Sequence, residues 1–599
     1  MNRSIRLSVV PLAALAALSF PACAGNPAPE PTPAEATDAA DAANALEAAA
    51  GGGGEELAPG VVPAPSVDPR RRGVAATALP EPGVERRTAE ERAELDVLHY
   101  DLAIDLRGLA EGTVVGHATL TVLPALDADH LDLDFVGLRV DSVRIDGVRA
   151  AFAQGADVLR VEPGSGFDEE ADVEVFYEGT PRDGLFIGPD PAGEPTAFAD
   201  NWPNRARWWF PANDYPADKA TAEFRVRVPD GYQVVANGRL MSSDGGTWRW
   251  RTDVEIPAYT LVIGVAKFER ADIGDAACGE APAAVSAGGD CATVSTWALT
   301  GSGAYAEERF ARAADMLDFY TELFGPYPYE KLAHVHSSTQ FGGMENSSAI
   351  FYAMTAWAEK RMGEGVIAHE TVHQWFGDGV TPAEWSHLWV SEGFATYFAA
   401  VYFGDRDGPE AFRTAMDGGK AQIIASEASA RPVVDERNDL FGLLNSNSYP
   451  KGAWILHMLR SMIGDEAFFS AVRSYYAEHE NGAADTEDVR RAMEEASGED
   501  LDWFFRQWAY SPGFPRLRVA SRATEGALVV TLEQTQSADW PTFRLPLVVE
   551  VRQAGRRTAR REVMMESRQE ILRFPSISGV TEVHVDPDGT LLMEVVGPE

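Results

Sequence analysis

One stretch constrains this chain more than any other: Val366 to Phe398, VIAHETVHQWFGDGVTPAEWSHLWVSEGFATYF. It reads as two short helices joined by a turn-rich link, the first carrying His369, Glu370 and His373 and the second Glu392. Residues four apart share a helix face, so His369 and His373 aim their imidazoles at a common point. Two neutral imidazole nitrogens are half of a tetrahedral zinc site. Glu370, beside the first histidine, lies where a carboxylate holds a water against the metal, the place of a general base. The third protein ligand should be a carboxylate from elsewhere, leaving the fourth position for water. Glu392, nineteen positions after His373 and among Leu388, Trp389, Phe394 and Phe398 at helical spacing, answers that need.

Such a centre needs a packed body, and 599 residues with 45% hydrophobic content supply several cores. Ninety-two acidic against 51 basic residues give a net charge of −41, which argues against nucleic acid or an anionic membrane surface as a partner. Arg3 and Arg6 precede an apolar run from Leu7 to Phe20, too short to span a bilayer and of the length of a signal-peptide core. Residues 1–24 are therefore expected to be an export signal, placing the protein in the periplasm or cell envelope of a bacterium. Ala22-Cys23-Ala24 suits cleavage before Gly25; alternatively Cys23, after the small Ala22, becomes a lipidated first residue and anchors the chain to a membrane. In an exported chain, Cys278 and Cys291, closing a loop of Gly, Ala and Pro, are expected to pair as a disulfide.

Residues 25–96, rich in Ala, Pro, Gly and Glu with almost no aromatic residue, bury too little to offset their ordering entropy and read as a disordered tether. From Leu98, period-two runs with Asp-Gly turns mark a β domain over 97–272: Leu102, Ile104 and Leu106, then Ala118–Leu123, Leu131–Ile145, Val173–Tyr177, Ala222–Val228 and Tyr259–Val265. Within it, AFADNWPNRARWWFPANDYPADKA is dense in Trp, Pro and charge, a packed aromatic connector or a functional segment. Helical spacing begins at Gly301, with one helix capped by Ser302 running to Gly325, and a helix-rich catalytic domain is expected over 273–515. Its GGMEN segment has paired glycines, which let backbone approach a neighbour closely, and a charged Glu345 in neutral surroundings. Strand patterns return over 516–599, as in a β-sandwich.

GGMEN (Gly342, Gly343, Met344, Glu345, Asn346), HETVH (369–373), VSEGFATYF (390–398), SYPKGA (448–453) and WAYSPGFP (508–515) together resemble the zinc aminopeptidases of the aminopeptidase N and leukotriene hydrolase family, the gluzincins. The resemblance runs from Leu98 to the end. It implies a multidomain α+β protein with an N-terminal β-saddle, a thermolysin-like catalytic domain and a C-terminal β-sandwich; the chain ends before the C-terminal helical domain that many members carry. It implies one zinc ion on His369, His373 and Glu392, Glu370 as the base, and Tyr449 as donor to the developing oxyanion. Glu345 would bind the free α-amine of a peptide and the Gly342-Gly343 backbone, with Met344 and Asn346, would line the substrate site.

Two positions depart from the family. A second amine anchor normally stands five residues before an Arg; matched to Arg207, it falls on Trp202, with Asp200 or Asn201 as substitutes if the loop bulges. His387 stands where relatives carry Asp, and reads as structural. A thermolysin-like endopeptidase, an epoxide hydrolase and an inactive cell-surface scaffold are the other readings. Oligomeric state is not legible.

Overall fold

A computed structural model describes residues 95–125, 128–163, 170–278, 291–553, 556–575, 577 and 582–597. The expected export signal, Cys23 and the tether up to residue 94 lie outside the described residues.

The alternating runs of the first half pair into a sheet of eleven strands among the described residues. Its strand Leu95–Asp105 runs antiparallel to Val114–Pro124 and parallel to Lys219–Arg227, joining segments over a hundred residues apart. A register shift between Val97 and His99 rephases the alternation, so Leu95 and Val97 face the core before it and Tyr100, Leu102 and Ile104 after it. A second, four-stranded sheet joins Leu185–Pro189, Pro195–Ala199, Ile263–Ala266 and Gln233–Ala236. Its loops project Asp200 and Tyr259.

A mixed five-stranded sheet follows in the order Phe268–Ala276, Ala292–Leu299, Lys331–Ser337, Ala349–Ala353, Gly343–Met344, with the two inner pairings parallel. The strand Phe268–Ala276 pairs along its length with Ala292–Leu299, so this sheet already begins at Phe268 and a boundary at 272 would cut it. At the end of that pair where the chain passes from one strand to the other, Cys278 and Cys291 are joined by a disulfide.

The helix expected from Ser302 to Phe324 is two helices, Gly303–Arg309 and Ala313–Phe324, and the Ser302 side chain caps neither. The break buries Phe310, whose ring lies 4.7 Å from His334, 5.1 Å from Tyr352 and 5.6 Å from Trp357, contacts that a continuous helix axis would forgo. Three later helices build the site: α1 (Glu364–His373), α2 (Trp389–Asp407) and α3 (Gly452–Ile463). α2 packs on both of the others. Behind them stand Asp465–His479, Thr486–Ser497 and Asp502–Trp508; Asp485 caps the second through both Glu487 and Asp488.

The final residues form a four-stranded and a three-stranded sheet whose Leu528, Val530, Leu532, Leu545, Leu547 and Val549 are buried in the common core. Gln507 holds them to the helical part, accepting from Arg544 N at 2.6 Å and donating to Arg544 O at 3.2 Å. Among the described residues no helix is long and apolar enough to cross a membrane.

Candidate metal centre

α1 ends where Gly377 turns the chain at φ +130°, in the left-handed half of the map. A Cβ there would lie 2.6 Å from Ser391 Oγ and 2.9 Å from His373 Nδ1, so a side chain is excluded twice over. The turn brings Phe376 O within 3.0 Å of His373 Nδ1. With Nδ1–H donating to that carbonyl, Nε2 presents its lone pair to the pocket.

The pocket brings together the three expected ligands. His369 Nε2 and His373 Nε2 lie 3.0 Å apart, and Glu392 Oε2 lies 3.1 Å from the first and 3.3 Å from the second. Donors about 2.0–2.1 Å from a tetrahedral ion stand about 3.3 Å from one another, so this triangle has the size and the N,N,O composition of a zinc site. Glu392 lies in the first turn of α2, where the helix dipole favours a carboxylate. Burial of three carboxylates in one place also demands a cation. Glu345, Glu370 and Glu392 are 7%, 5% and 6% exposed. Burial opposes a charge on His373, yet Glu392 and Glu345 outweigh it and raise its pKa to about 10. The donor set fits one zinc ion.

Glu370 sits beside the triangle, its pKa well raised by burial and by the neighbouring Glu345 and Glu392, against the opposing pull of His373. A ligand atom of each of Glu345, Glu370 and His373 falls within a common 4.8 Å. Glu345 lies just past the edge strand Gly343–Met344, and burial pushes its carboxyl up to about 7. Gly343 makes the close approach anticipated for the paired glycines: a Cβ would stand 2.2 Å from Glu370 Oε1, whereas at Gly342 it would meet open space. Met344 is buried at 3%, and Asn346 is fully buried with neither amide atom partnered among the described residues.

Tyr449 stands in a single π-helical turn, Asn447–Lys451. Pro450 has no N–H to continue an α ladder, so Lys451 N reaches back to Ser446 O at 2.9 Å. The phenol ring lies 5.9 Å from His369, nearly parallel to it. The turn can sit this close because two glycines meet: a Cβ on Gly393 would lie 2.8 Å from Gly452 Cα, and one on Gly452 equally close to Gly393 Cα.

The β domain contributes positions that motif reading missed. Trp202 is no amine anchor: its ring is buried edge-on against Phe341, Trp385 and Phe441 at 5.9, 5.6 and 5.6 Å. Asn201 is consumed by Leu261 O at 2.6 Å and Trp209 Nε1 at 2.9 Å. Asp200 is five residues before Arg205 and accepts from its Nη2 at 2.8 Å, while its other oxygen accepts from Thr339 Oγ1 at 3.1 Å. Arg205 is thus paired with Asp200, and Arg207 is spent on Asp134 and Asp214. Lys219 Nζ donates to Asp378 O at 2.8 Å and Gly379 O at 2.9 Å, and Tyr259 Oη donates to Gly377 O at 2.9 Å. These bonds pin the loop that fixes His373. Both residues lie in or near the segments already marked, but only distance across the fold reveals their targets. His387 bonds Thr486 Oγ1 at 2.8 Å and is structural.

A buried triangle of two imidazoles and a carboxylate, flanked by a free carboxylate on the helix of the histidines, defines a mononuclear metallohydrolase centre. The Peptidase M1 N-terminal domain matches residues 97–260 and the Peptidase family M1 domain residues 309–508, and the chain belongs to peptidase family M1. It is 27% identical over 463 residues to a leucyl aminopeptidase of Saccharolobus solfataricus, covering 71% of this chain and 55% of that protein. To an aminopeptidase N of Streptomyces lividans it is 26% identical over 495 residues, covering 77% and 55%. The chain thus spans little more than half the length of these curated relatives. Among solved structures it is similar to an M1 zinc metallopeptidase variant from Deinococcus radiodurans bound to a Tyr-Ser-Ala substrate, with TM-score 0.61 and 26% identity, covering 70% of this chain and 96% of that one.

Proposed function

We propose that this chain is an exported zinc aminopeptidase that removes residues singly from the free N-termini of peptides. The observation carrying the reading is the position of Glu345, whose carboxylate lies in one buried cluster with Glu370 and His373. A carboxylate fixed there binds an ammonium group and sets the first peptide bond over the metal triangle. It measures one residue from the terminus, a restriction an endopeptidase has no use for.

His369, His373 and Glu392 would hold a zinc ion, which would supply Lewis-acid chemistry at the scissile carbonyl and the attacking water. Glu370 takes the proton of the attacking water and passes it to the leaving amine; its raised pKa suits both halves of that transfer. Tyr449 keeps its proton, because burial and the nearby Glu392 raise its pKa well above the ordinary value, and so can donate to the oxyanion. A donor of this kind contributes about 3–4 kcal/mol to transition-state stabilisation. The edge strand Gly343–Met344 offers backbone to an extended substrate. The Tyr-Ser-Ala ligand of the Deinococcus structure, a peptide, supports the substrate class. The proposal extends to location, from the basic and apolar residues 3–20, with Cys23 as an anchor point, and to a saddle and a sandwich for the flanking sheets.

The test is cleavage of a peptide panel with free and with acetylated N-termini, each with and without a zinc chelator. Stepwise trimming of free termini alone, stopped by the chelator, is expected. Equal cleavage of acetylated peptides would remove Glu345 from its role and make the enzyme an endopeptidase.

A further inference from the structure

Glu345 and the metal triangle come from different elements, a sheet edge and two helices, and one side chain joins them. The edge strand Gly343–Met344 pairs with Ala349–Ala353 at Gly343↔Tyr352 and Met344↔Phe351, so its ladder ends one residue short of Glu345. From there the chain turns back. Ala349 N bonds Asn346 O at 2.9 Å, and Ser348 takes φ +62°, a left-handed conformation that a serine keeps only where its neighbours hold it. Such a turn leaves main-chain groups that no strand pairs.

Gln374 takes two of them. Its Nε2 donates to Glu345 O at 2.8 Å, and its Oε1 accepts from Ser348 N at 2.8 Å. The carboxamide offers the turn a donor and an acceptor on one planar unit, as a peptide group of a neighbouring strand would. Gln374 is itself fixed: it follows the ligand His373 directly, closes α1 and is fully buried. Its Nε2 also donates to Asp378 Oδ2 at 2.9 Å, and Tyr327 Oη donates to its Oε1 at 3.4 Å.

Other bonds hold the far half of the turn, Asn237 Nδ2 donating to Ser347 O at 2.6 Å and Lys331 Nζ to Ser348 O at 3.0 Å. Gln374 reaches Glu345 itself, and does so from the helix of the two histidines. On its near side the same segment rests on that helix, because Gly343 has no Cβ to strike Glu370. We propose that Gln374 is a positioning residue that sets the distance from Glu345 to the metal triangle, and with it the length of the unit removed from a peptide. This inference rests on the aminopeptidase reading and deepens it.

A ligand that touches the metal alone does not sense that distance, whereas one that spans the metal and Glu345 does. The experiment is calorimetric titration of the zinc-loaded full chain with leucine hydroxamate, whose free amine reaches Glu345, and with N-acetyl-leucine hydroxamate, which has only the metal. In Gln374→Met, of similar length but without hydrogen bonds, the Kd of leucine hydroxamate is expected to rise at least about tenfold and that of the acetylated compound to stay within about twofold. Zinc content should hold. Equal weakening of both compounds, the mark of general damage to the site, overturns the proposal, and so does unchanged binding of leucine hydroxamate. If Gln374→Met fails to fold, Gln374→Asn keeps the amide one methylene short of the turn, and the same selective loss is expected at about threefold or more. Equal binding of the two compounds by the unaltered chain would overturn the Glu345 reading together with this inference; a failure seen in the variants alone would overturn only the role of Gln374.

Discussion

His369, Glu370, His373 and Glu392 come from two helices within 24 consecutive residues, whereas the groups that hold their loop come from a β domain 118 to 168 residues earlier. The helical set forms the metal triangle and the carboxylate beside it. Lys219, Tyr259 and Tyr215, the last donating to Ala383 O at 2.7 Å, donate to backbone carbonyls of the turn between the two helices. Chemistry is thus written locally, where a helical period suffices to converge side chains, and its rigidity is supplied at long range, by hydrogen bonds to main-chain atoms that have no sequence identity. The N-terminal domain is on this view part of the metal centre.

The division can be broken at its chemical end first. Glu370→Gln, isosteric and uncharged, should lower kcat by roughly 10³-fold while zinc content and melting temperature hold, since a positioned base contributes about 10²–10⁴. Retained turnover would move the base elsewhere. Next, Glu345→Gln should cost roughly 10²-fold in kcat/KM on free N-termini, mostly through KM, as expected for losing about 3 kcal/mol of charged hydrogen bonding. Its pH dependence has a definite sign. The carboxyl must be ionised to hold an ammonium, and burial raises its pKa to about 7, so kcat/KM of the unaltered enzyme should fall as pH drops through that value and the variant's profile should lose that limb. Smallest is the long-range end: Lys219→Met removes two bonds to carbonyls but also relieves a buried ammonium whose pKa burial has lowered to about 7. A net loss of about 1–2 kcal/mol in stability and faster zinc release to a chelator, with KM little changed, would mark Lys219 as holding the loop. An unchanged zinc off-rate would confine the β domain to a scaffold role.

The same division decides what could be read from the chain. The clustering of His369, His373 and Glu392 was legible because the i, i+4 spacing of two histidines and a glutamate on the following helix is itself the geometry. Strand alternation gave the sheets: Leu102 and Ile104 of the first period-two run are buried within Leu95–Asp105. Tyr449 needed a motif, because a π-helical turn built on a proline has no period to reveal it. The helix from Ser302 was broken by tertiary packing: propensity continues through Phe310, but His334, Tyr352 and Trp357 turn that ring inward. In the loop after Ala199, Arg205 and Arg207 are chemically alike and only their partners, Asp200 and Asp214, tell them apart.

The contact between Gly393 and Gly452 carries a consequence for how this site can change. Gly393 is adjacent to the ligand Glu392, and Gly452 is three residues past Tyr449. Each meets the other's main chain, so no rotamer can yield space to an added methyl. The spacing between the Glu392 carboxylate and the Tyr449 phenol is therefore gauged by two hydrogen atoms. Substitution at either end widens the gap as a whole, so the pair can drift only together, and a redesign that alters bond lengths at the metal must first re-cut this seam.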